Sequence, residues 1–295
     1  LATDSRSIGD EHPIVKLITF GGGIPGIEQA LDRVRRQAEA FPLIDVVEIF
    51  EPGDLGKEYF EKFGNLVKQF PRGFGLWSWK PFLVDREIKK LRDGDILIYM
   101  DAGCELNPKG AQVFSEYLDY SSRNGFLFFS LGLQHRYWTK PNQLLITEEH
   151  YFRNQVSAGV FFIKVSKASK KFVVNWLSLC ASDEGFLLKD PDPRQNLDFT
   201  KFHDHRHDQS VLSKVVFDAG IEALPDGTFV LPWSLARGNP ILALRNTQTG
   251  FSWVKPAIIL PRPLYEFWKL VTVAISPGSL KRIIRTRISI ALHGR

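Results

Sequence analysis

The 295-residue chain is 44% hydrophobic, 24% charged and 13% aromatic, a globular composition, and its 23 Phe and 7 Trp exclude disorder along most of its length. No apolar run reaches the roughly 18 to 20 residues of a membrane span, and the first residues lack the basic-then-apolar order of a secretory signal. The net charge of +5 is local: residues 281–295 hold Lys281, Arg282, Arg285, Arg287 and Arg295 and no acid, and removing those five from 38 basic residues leaves 33 against 33 acidic ones. A neutral body argues against nucleic acid as a partner. The two cysteines, Cys104 and Cys180, make no disulfide scaffold and suit buried free thiols in a reducing, cytoplasmic compartment.

Ile14 to Phe20 reads as a buried strand closed by Gly21, Gly22 and Gly23. Apolar residues at helical spacing (Ile27, Ala30, Leu31, Val34, Ala38) predict a helix from Gly26 to Phe41. Val46 to Phe50 is a second strand, and a helix carrying Tyr59, Phe63 and Leu66 follows, broken near Pro71. Pro81 to Leu91 is predicted helical with Pro in its first turn. Asp95 to Met100 is an apolar strand running into Asp101, Ala102 and Gly103.

Further along, Pro108 to Arg123 is predicted as helix, with strands at Phe126 to Ser130 and Gly159 to Ile163. Helices are predicted at Ser166 to Cys180 and Asp208 to Ala219, with a loop over 183–202 and a short strand at Phe229 to Leu231. This alternation implies an α/β fold, a mostly parallel sheet with helices on both faces. Residues 1–260 form that domain, and 261–295 form a basic, amphipathic helical extension that suits an anionic membrane surface on the inner face of a membrane.

Ligands of such sheets bind beyond the carboxyl ends of the strands. Gly21 there allows close backbone approach or serves as a plain turn. Asp101 suits a cation or a ribose hydroxyl, or caps its own turn. The segment His203, Asp204, His205, Arg206, His207, Asp208, Gln209 packs three of seven histidines into five positions, without the spacing of common zinc sites. Asp208 also stands where a helix N-cap belongs. Lys80, near a helix start, is unfavourable without an anion beside it, and a phosphate would supply one.

Gly75 to Val84, Gly94 to Cys104, Ser157-Ala158-Gly159 and His207 to Leu212, in that order, resemble small glycosyltransferases of the GT-A fold. More broadly they are similar to the glycogenin-like and mannosyl- or galactosyl-transferring families. The resemblance covers residues 14 to 232. It implies transfer of a hexose from a nucleotide-diphosphate sugar to a glycan or lipid-linked acceptor, with retention. Asp101 matches the first Asp of Asp-x-Asp, binding the donor and a Mn²⁺ or Mg²⁺. Lys80 matches a basic residue near the donor, and Ala102, Gly103, Ser157, Ala158 and Gly159 would line the donor pocket. Asp208 and Gln209 match the pair beside the anomeric carbon. Gly103 replaces the second Asp, so His207 or Glu105 would complete a metal site, or cations of the protein alone would serve. The rival expectations are a nucleotidyltransferase of the same layout and a non-catalytic nucleotide- or glycan-binding protein.

Overall fold

The computed structural model describes residues 12–24, 26–192, 194–198, 201–229 and 238–245. The apolar runs of the first hundred residues become three neighbouring strands, β1 (Val15–Phe20), β2 (Val46–Phe50) and β3 (Ile96–Met100). Between them lie α1 (Ile27–Glu39), α2 (Gly56–Gln69), the single turn α3 (Gly73–Leu76) and α4 (Trp79–Ile88). The chain continues through β4 (Glu105–Leu106), α5 (Ala111–Asn124), β5 (Phe126–Gln134), the short turn α6 (His135–Trp138) and β6 (Asn154–Lys164). It then forms α7 (Lys167–Ala181), α8 (Asp208–Asp218), β7 (Leu224–Pro225) and β8 (Ile241–Leu242).

Among the described residues, one sheet has the order β2-β1-β3-β6-β5-β7, and β4 pairs with β8 separately. β1 is parallel to β2 and β3, β7 is parallel to β5, and β6 is antiparallel to both β3 and β5. All strands of the main sheet except β6 therefore run one way, which meets the mostly parallel expectation.

Side chains alternate between two apolar cores. Leu97, Tyr99, Phe161 and Ile163 face a layer holding Tyr59 of α2, Leu83 of α4, Trp176 of α7 and Val215 of α8. Ile98, Met100, Val160 and Phe162 face the opposite layer, with Val34 of α1 and Phe114 of α5. Covered faces on both sides explain why these strands read as continuous apolar runs rather than alternating ones.

Two features of the sheet position the site. Because β6 is antiparallel and Met100 pairs with Val160, the residues before Val160 run on past the carboxyl end of β3. The amide of Asp101 accordingly donates to the carbonyl of Gly159 at 2.8 Å. The second feature is the anchoring of α4: Glu87, fully buried, accepts from Lys16 of β1 at 2.8 Å, and Lys16 also meets Glu48 of β2 at 3.0 Å. An internal ion pair of this kind fixes the helix against the sheet in one orientation, since breaking it would strand a buried charge.

Several element boundaries differ from the sequence expectation for local reasons. β5 and β6 are longer than their apolar runs, and their pairing is irregular between Phe128 and Gln134, where the side-chain period is interrupted. α4 begins at Trp79, so Pro81 sits third rather than first. α7 starts where expected, with Ser166 Oγ accepting from the amide of Ser169 and Ser169 Oγ accepting from that of Ser166. The predicted loop contains a 3₁₀ segment, Ser182–Leu188. Phe229 is not in a strand, and the remainder of that expected strand lies outside the described residues, as does the basic extension. No helix among the described residues is long and apolar enough to cross a membrane.

Candidate active site

At the carboxyl edge of β3 the ammonium of Lys80, itself buried, sits among five oxygen and ring partners. It lies 2.9 Å from Asp208 Oδ2 and 3.3 Å from Asp101 Oδ1, and it donates to the carbonyl of Ala158 at 2.8 Å. The rings of Tyr99 and Trp79 stand 4.9 and 5.6 Å from it. Tyr99 also donates its hydroxyl to Asp101 Oδ1 at 2.6 Å. Burial by itself would lower the Lys80 pKa, but the carboxylates of Asp101 and Asp208 outweigh it and hold the group above its ordinary value, charged. Burial raises Asp208 above the usual carboxylate range, with Lys80 opposing in part. The anion that a lysine at a helix start requires is thus supplied by two carboxylates of the chain itself.

The two carboxylates differ in access. Asp208 is 6% exposed and Asp101 is 45% exposed, so Asp101 offers its outer oxygen to a ligand while Asp208 is held inside. Gly159 makes this possible, because a Cβ there would lie 2.8 Å from Asp101 Oδ2. Ser157 Oγ accepts from the Gly159 amide at 3.1 Å and closes the same strand turn. Ala102 is buried and Gly103 half-buried in the turn after Asp101, which the Cys104 amide closes by donating to the Asp101 carbonyl at 2.9 Å.

Strained backbone delivers both Lys80 and Asp208. Gly73, Phe74, Gly75, Leu76 and Trp77 all have positive φ, between 52° and 81°, a left-handed turn that leads directly into α4. Glycine is required at its start, since a Cβ on Gly73 would lie 2.5 Å from the Trp77 ring. On the Asp208 side of Lys80, His207 has φ 45° and ψ −118° and precedes Asp208, the first residue of α8. Asp208 is therefore inside the first turn rather than the N-cap, and its carboxylate is free to face Lys80. The two strained segments meet: Trp77 and His207 stack at 5.5 Å and 29°.

Two histidines of the cluster, His205 and His207, hold backbone. His205 Nε2 pairs with the Leu187 carbonyl at 2.9 Å, while its Nδ1 accepts from the Lys140 amide at 3.2 Å. That pattern fixes the neutral Nε2–H tautomer. His207 Nδ1 donates to the Leu188 carbonyl at 2.7 Å, and Lys140 Nζ donates to the carbonyls of Phe186 and Lys189. Four successive carbonyls, 186 to 189, are thereby satisfied by three basic side chains. Gln209 donates to Gln155 Oε1 at 2.6 Å, and Gln155 in turn donates to the carbonyl of Trp138 and the hydroxyls of Thr139 and Ser210.

Other expected site residues stand apart from this centre. Gly21 ends β1, and its missing Cβ makes room for Ile27 and Leu31 of α1, 2.6 and 2.8 Å from where that atom would be. Glu105 is fully buried in β4; burial lowers the pKa of Arg33, and the nearby Glu105 opposes that shift only in part. Among the described residues, no three His, Cys, Asp or Glu side chains gather to hold an ion. Asp101 Oδ1 is shared by Lys80 and Tyr99, Glu105 lies fully buried in β4, and the second nitrogen of His207, Nε2, lies 3.8 Å from Asp190 Oδ1, so Asp101, Glu105 and His207 do not gather into a site for a resident Mn²⁺ or Mg²⁺. The cation at the centre is Lys80.

Sequence reasoning missed three contributors. Tyr99 is two residues before Asp101 on the same strand face, which is a readable signal. Arg33 interrupts the apolar stripe of α1 and donates to the carbonyls of Ala102 and Cys104 at 2.8 and 3.2 Å, pinning the turn after Asp101. Gln155 lies in the part of β6 that carries no apolar run, and nothing in its neighbourhood marks it.

No family model and no curated protein matches the chain. Solved structures similar in layout include a galactosyltransferase, LgtC, in complex with donor and acceptor sugar analogues, at 12% identity and a TM-score of 0.41, covering 75% of this chain and 77% of that one. Mouse xyloside xylosyltransferase 1 is similar at 11% identity and 0.40, covering 74% and 88%. A glucose-1-phosphate thymidylyltransferase from Bacillus anthracis is similar at 10% identity and 0.34, covering 72% and 87%.

Replacing Lys80 with Met strands two carboxylates against each other, and the expected cost is about 3–5 kcal/mol in urea unfolding. Adding Asp208→Asn to that variant should recover a large part of the loss. A second expectation concerns pH. Burial, chiefly, pushes His135 down to about 4, and burial followed by the neighbouring His207 holds His205 well below its ordinary 6.5. Both take up protons on unfolding, so stability falls as pH drops below about 6.5, by up to about 1.4 kcal/mol per pH unit for each histidine. Melting curves from pH 7 to pH 5 measure this, and His135→Gln should flatten the slope.

Proposed function

We propose that the protein is a glycosyltransferase that moves a hexose from a nucleotide-diphosphate sugar to a glycan or lipid-linked acceptor, with retention at the anomeric carbon. One observation carries this reading: a single buried ammonium, Lys80, holds Asp101 and Asp208 together at the carboxyl edge of the sheet, one exposed and one enclosed. In this reading Asp101 accepts hydroxyls of the donor, while Ser157, Ala158 and Gly159 form the floor beneath the sugar. Asp208 and Gln209 stand beside the anomeric carbon.

The chemistry suits these groups. When the bond from the anomeric carbon to the phosphate oxygen breaks, the electron pair leaves with the diphosphate and the sugar gains oxocarbenium character. The Asp208 carboxylate, fixed before the reaction begins, stabilises that positive charge, and the Lys80 ammonium sets its position. The acceptor hydroxyl then adds to the same face, and its proton passes to the departing phosphate oxygen. No step of this reading passes through Mn²⁺ or Mg²⁺.

A thermal-shift panel of UDP-, GDP- and CMP-sugars tests donor binding, because a ligand of the folded state raises the midpoint by mass action. One nucleotide class should raise it by several degrees, and Asp101→Ala should cut donor cleavage at least about 100-fold. An Asp101→Ala protein that cleaves donor at the normal rate contradicts the reading. Release of pyrophosphate instead of nucleoside diphosphate would assign the cleft to nucleotidyl transfer.

A further inference from the structure

Beside Gln209, outside the Lys80 centre, aromatic and basic side chains alternate along one surface. The Arg136 guanidinium lies 4.3 Å from the Tyr137 ring centroid, 4.5 Å from Phe152 and 5.3 Å from Tyr151. Tyr137 stacks on His203 at 5.0 Å and 17°, and His203 meets the edge of Trp138 at 5.7 Å and 75°. Arg206 stands 5.4 Å from the Trp138 ring. Phe152 is 66% exposed, and Arg136, Tyr137 and Trp138 are half-buried.

This array is rigidly tied to the cleft. The Trp138 carbonyl accepts from Gln155 Nε2 at 2.9 Å and from Ser210 Oγ at 3.0 Å. Gln155 Oε1 is the acceptor for Gln209 at 2.6 Å. One glutamine therefore links the backbone of the aromatic turn to the side chain of Gln209.

The array has a specific chemical meaning. Half-exposed aromatic faces receive the C–H faces of pyranose rings, and a guanidinium held over aromatic rings keeps its charge and its planar donor fork. The hydrogen bonds of Arg136 go to neutral acceptors, Gln134 Oε1 at 3.2 Å and the Tyr137 hydroxyl, so they leave its charge uncompensated. A planar fork of this kind matches a carboxylate or a phosphate.

We propose that this ladder is the acceptor subsite for an anionic saccharide. The pyranose lies on Trp138, and Arg136 reads its carboxylate or phosphate. The inference rests on the transferase reading and adds the class of acceptor.

Calorimetric titration of the full chain tests it, with trigalacturonate, a phosphorylated trisaccharide and neutral maltotriose, each with the nucleotide chosen by the thermal-shift panel. At low salt at least one of the two anionic sugars should bind about tenfold or more tightly than maltotriose, and the tighter one identifies the group that is read. That preference should shrink as salt rises. Arg136→Gln should remove most of the preference while the melting point and nucleotide affinity stay unchanged. Equal affinity for charged and neutral sugars, or a preference that survives Arg136→Gln, overturns the proposal. Nucleotide binding without anionic preference removes this subsite alone. Anionic preference without nucleotide-sugar binding removes the transferase reading and leaves a saccharide-binding surface.

Discussion

The architecture of the site depends on one buried cation. Two carboxylates on different elements, one after β3 and one at the start of α8, would repel each other in a low-dielectric setting if nothing stood between them. Lys80 supplies that charge from a third element, and its burial makes the arrangement all-or-none. Desolvating an ammonium costs several kcal/mol, which only close, well-placed oxygens offset. The Ala158 carbonyl and the rings of Tyr99 and Trp79 complete the shell. A loosely placed Lys80 would leave its own charge and both carboxylates poorly compensated, so β3, β6, α4 and α8 are each bound to one geometry.

Backbone strain shows how firmly that geometry is held. A non-glycine residue in the left-handed region costs roughly 1–2 kcal/mol, and Phe74, Leu76 and Trp77 adopt it in sequence before α4 begins. His207 adds another unfavourable conformation immediately before Asp208. The stack of Trp77 on His207 joins the two strained segments, and the carbonyls of 186 to 189, held by Lys140, His205 and His207, form the wall behind them. His205 and His207 are thus scaffold, buried imidazoles that exchange single hydrogen bonds with backbone.

Much of the layout was legible because both faces of the sheet are covered. Continuous apolar runs marked β1 and β3, and the stripe through Ile27, Leu31 and Val34 marked α1. The reversal of β6 was not legible, since an apolar run has no direction, yet that reversal sets Gly159 against Asp101. β7 and β8, two residues each, are too short to show a period. At the site, order along the chain singled out Lys80, Asp101, Asp208 and Gln209; the first three meet at the carboxyl edge of β3, while Gln209 bonds to Gln155. What pattern could not reveal was partnership: the expected anion for Lys80 was a ligand, and the fold provides Asp101 and Asp208. Arg33 and Gln155 act through carbonyls and amides, which leave no trace in composition or spacing.

A co-crystal structure with an intact, slowly reacting analogue of the nucleotide sugar tests the central claim most directly. The account predicts the diphosphate and sugar in the cleft bordered by Asp101 and Gly159, the anomeric carbon facing Asp208 and Gln209, and Lys80 still between both carboxylates. A nucleotide bound at another edge of the sheet, or a bound state in which Lys80 has left one carboxylate to stand alone, would contradict it.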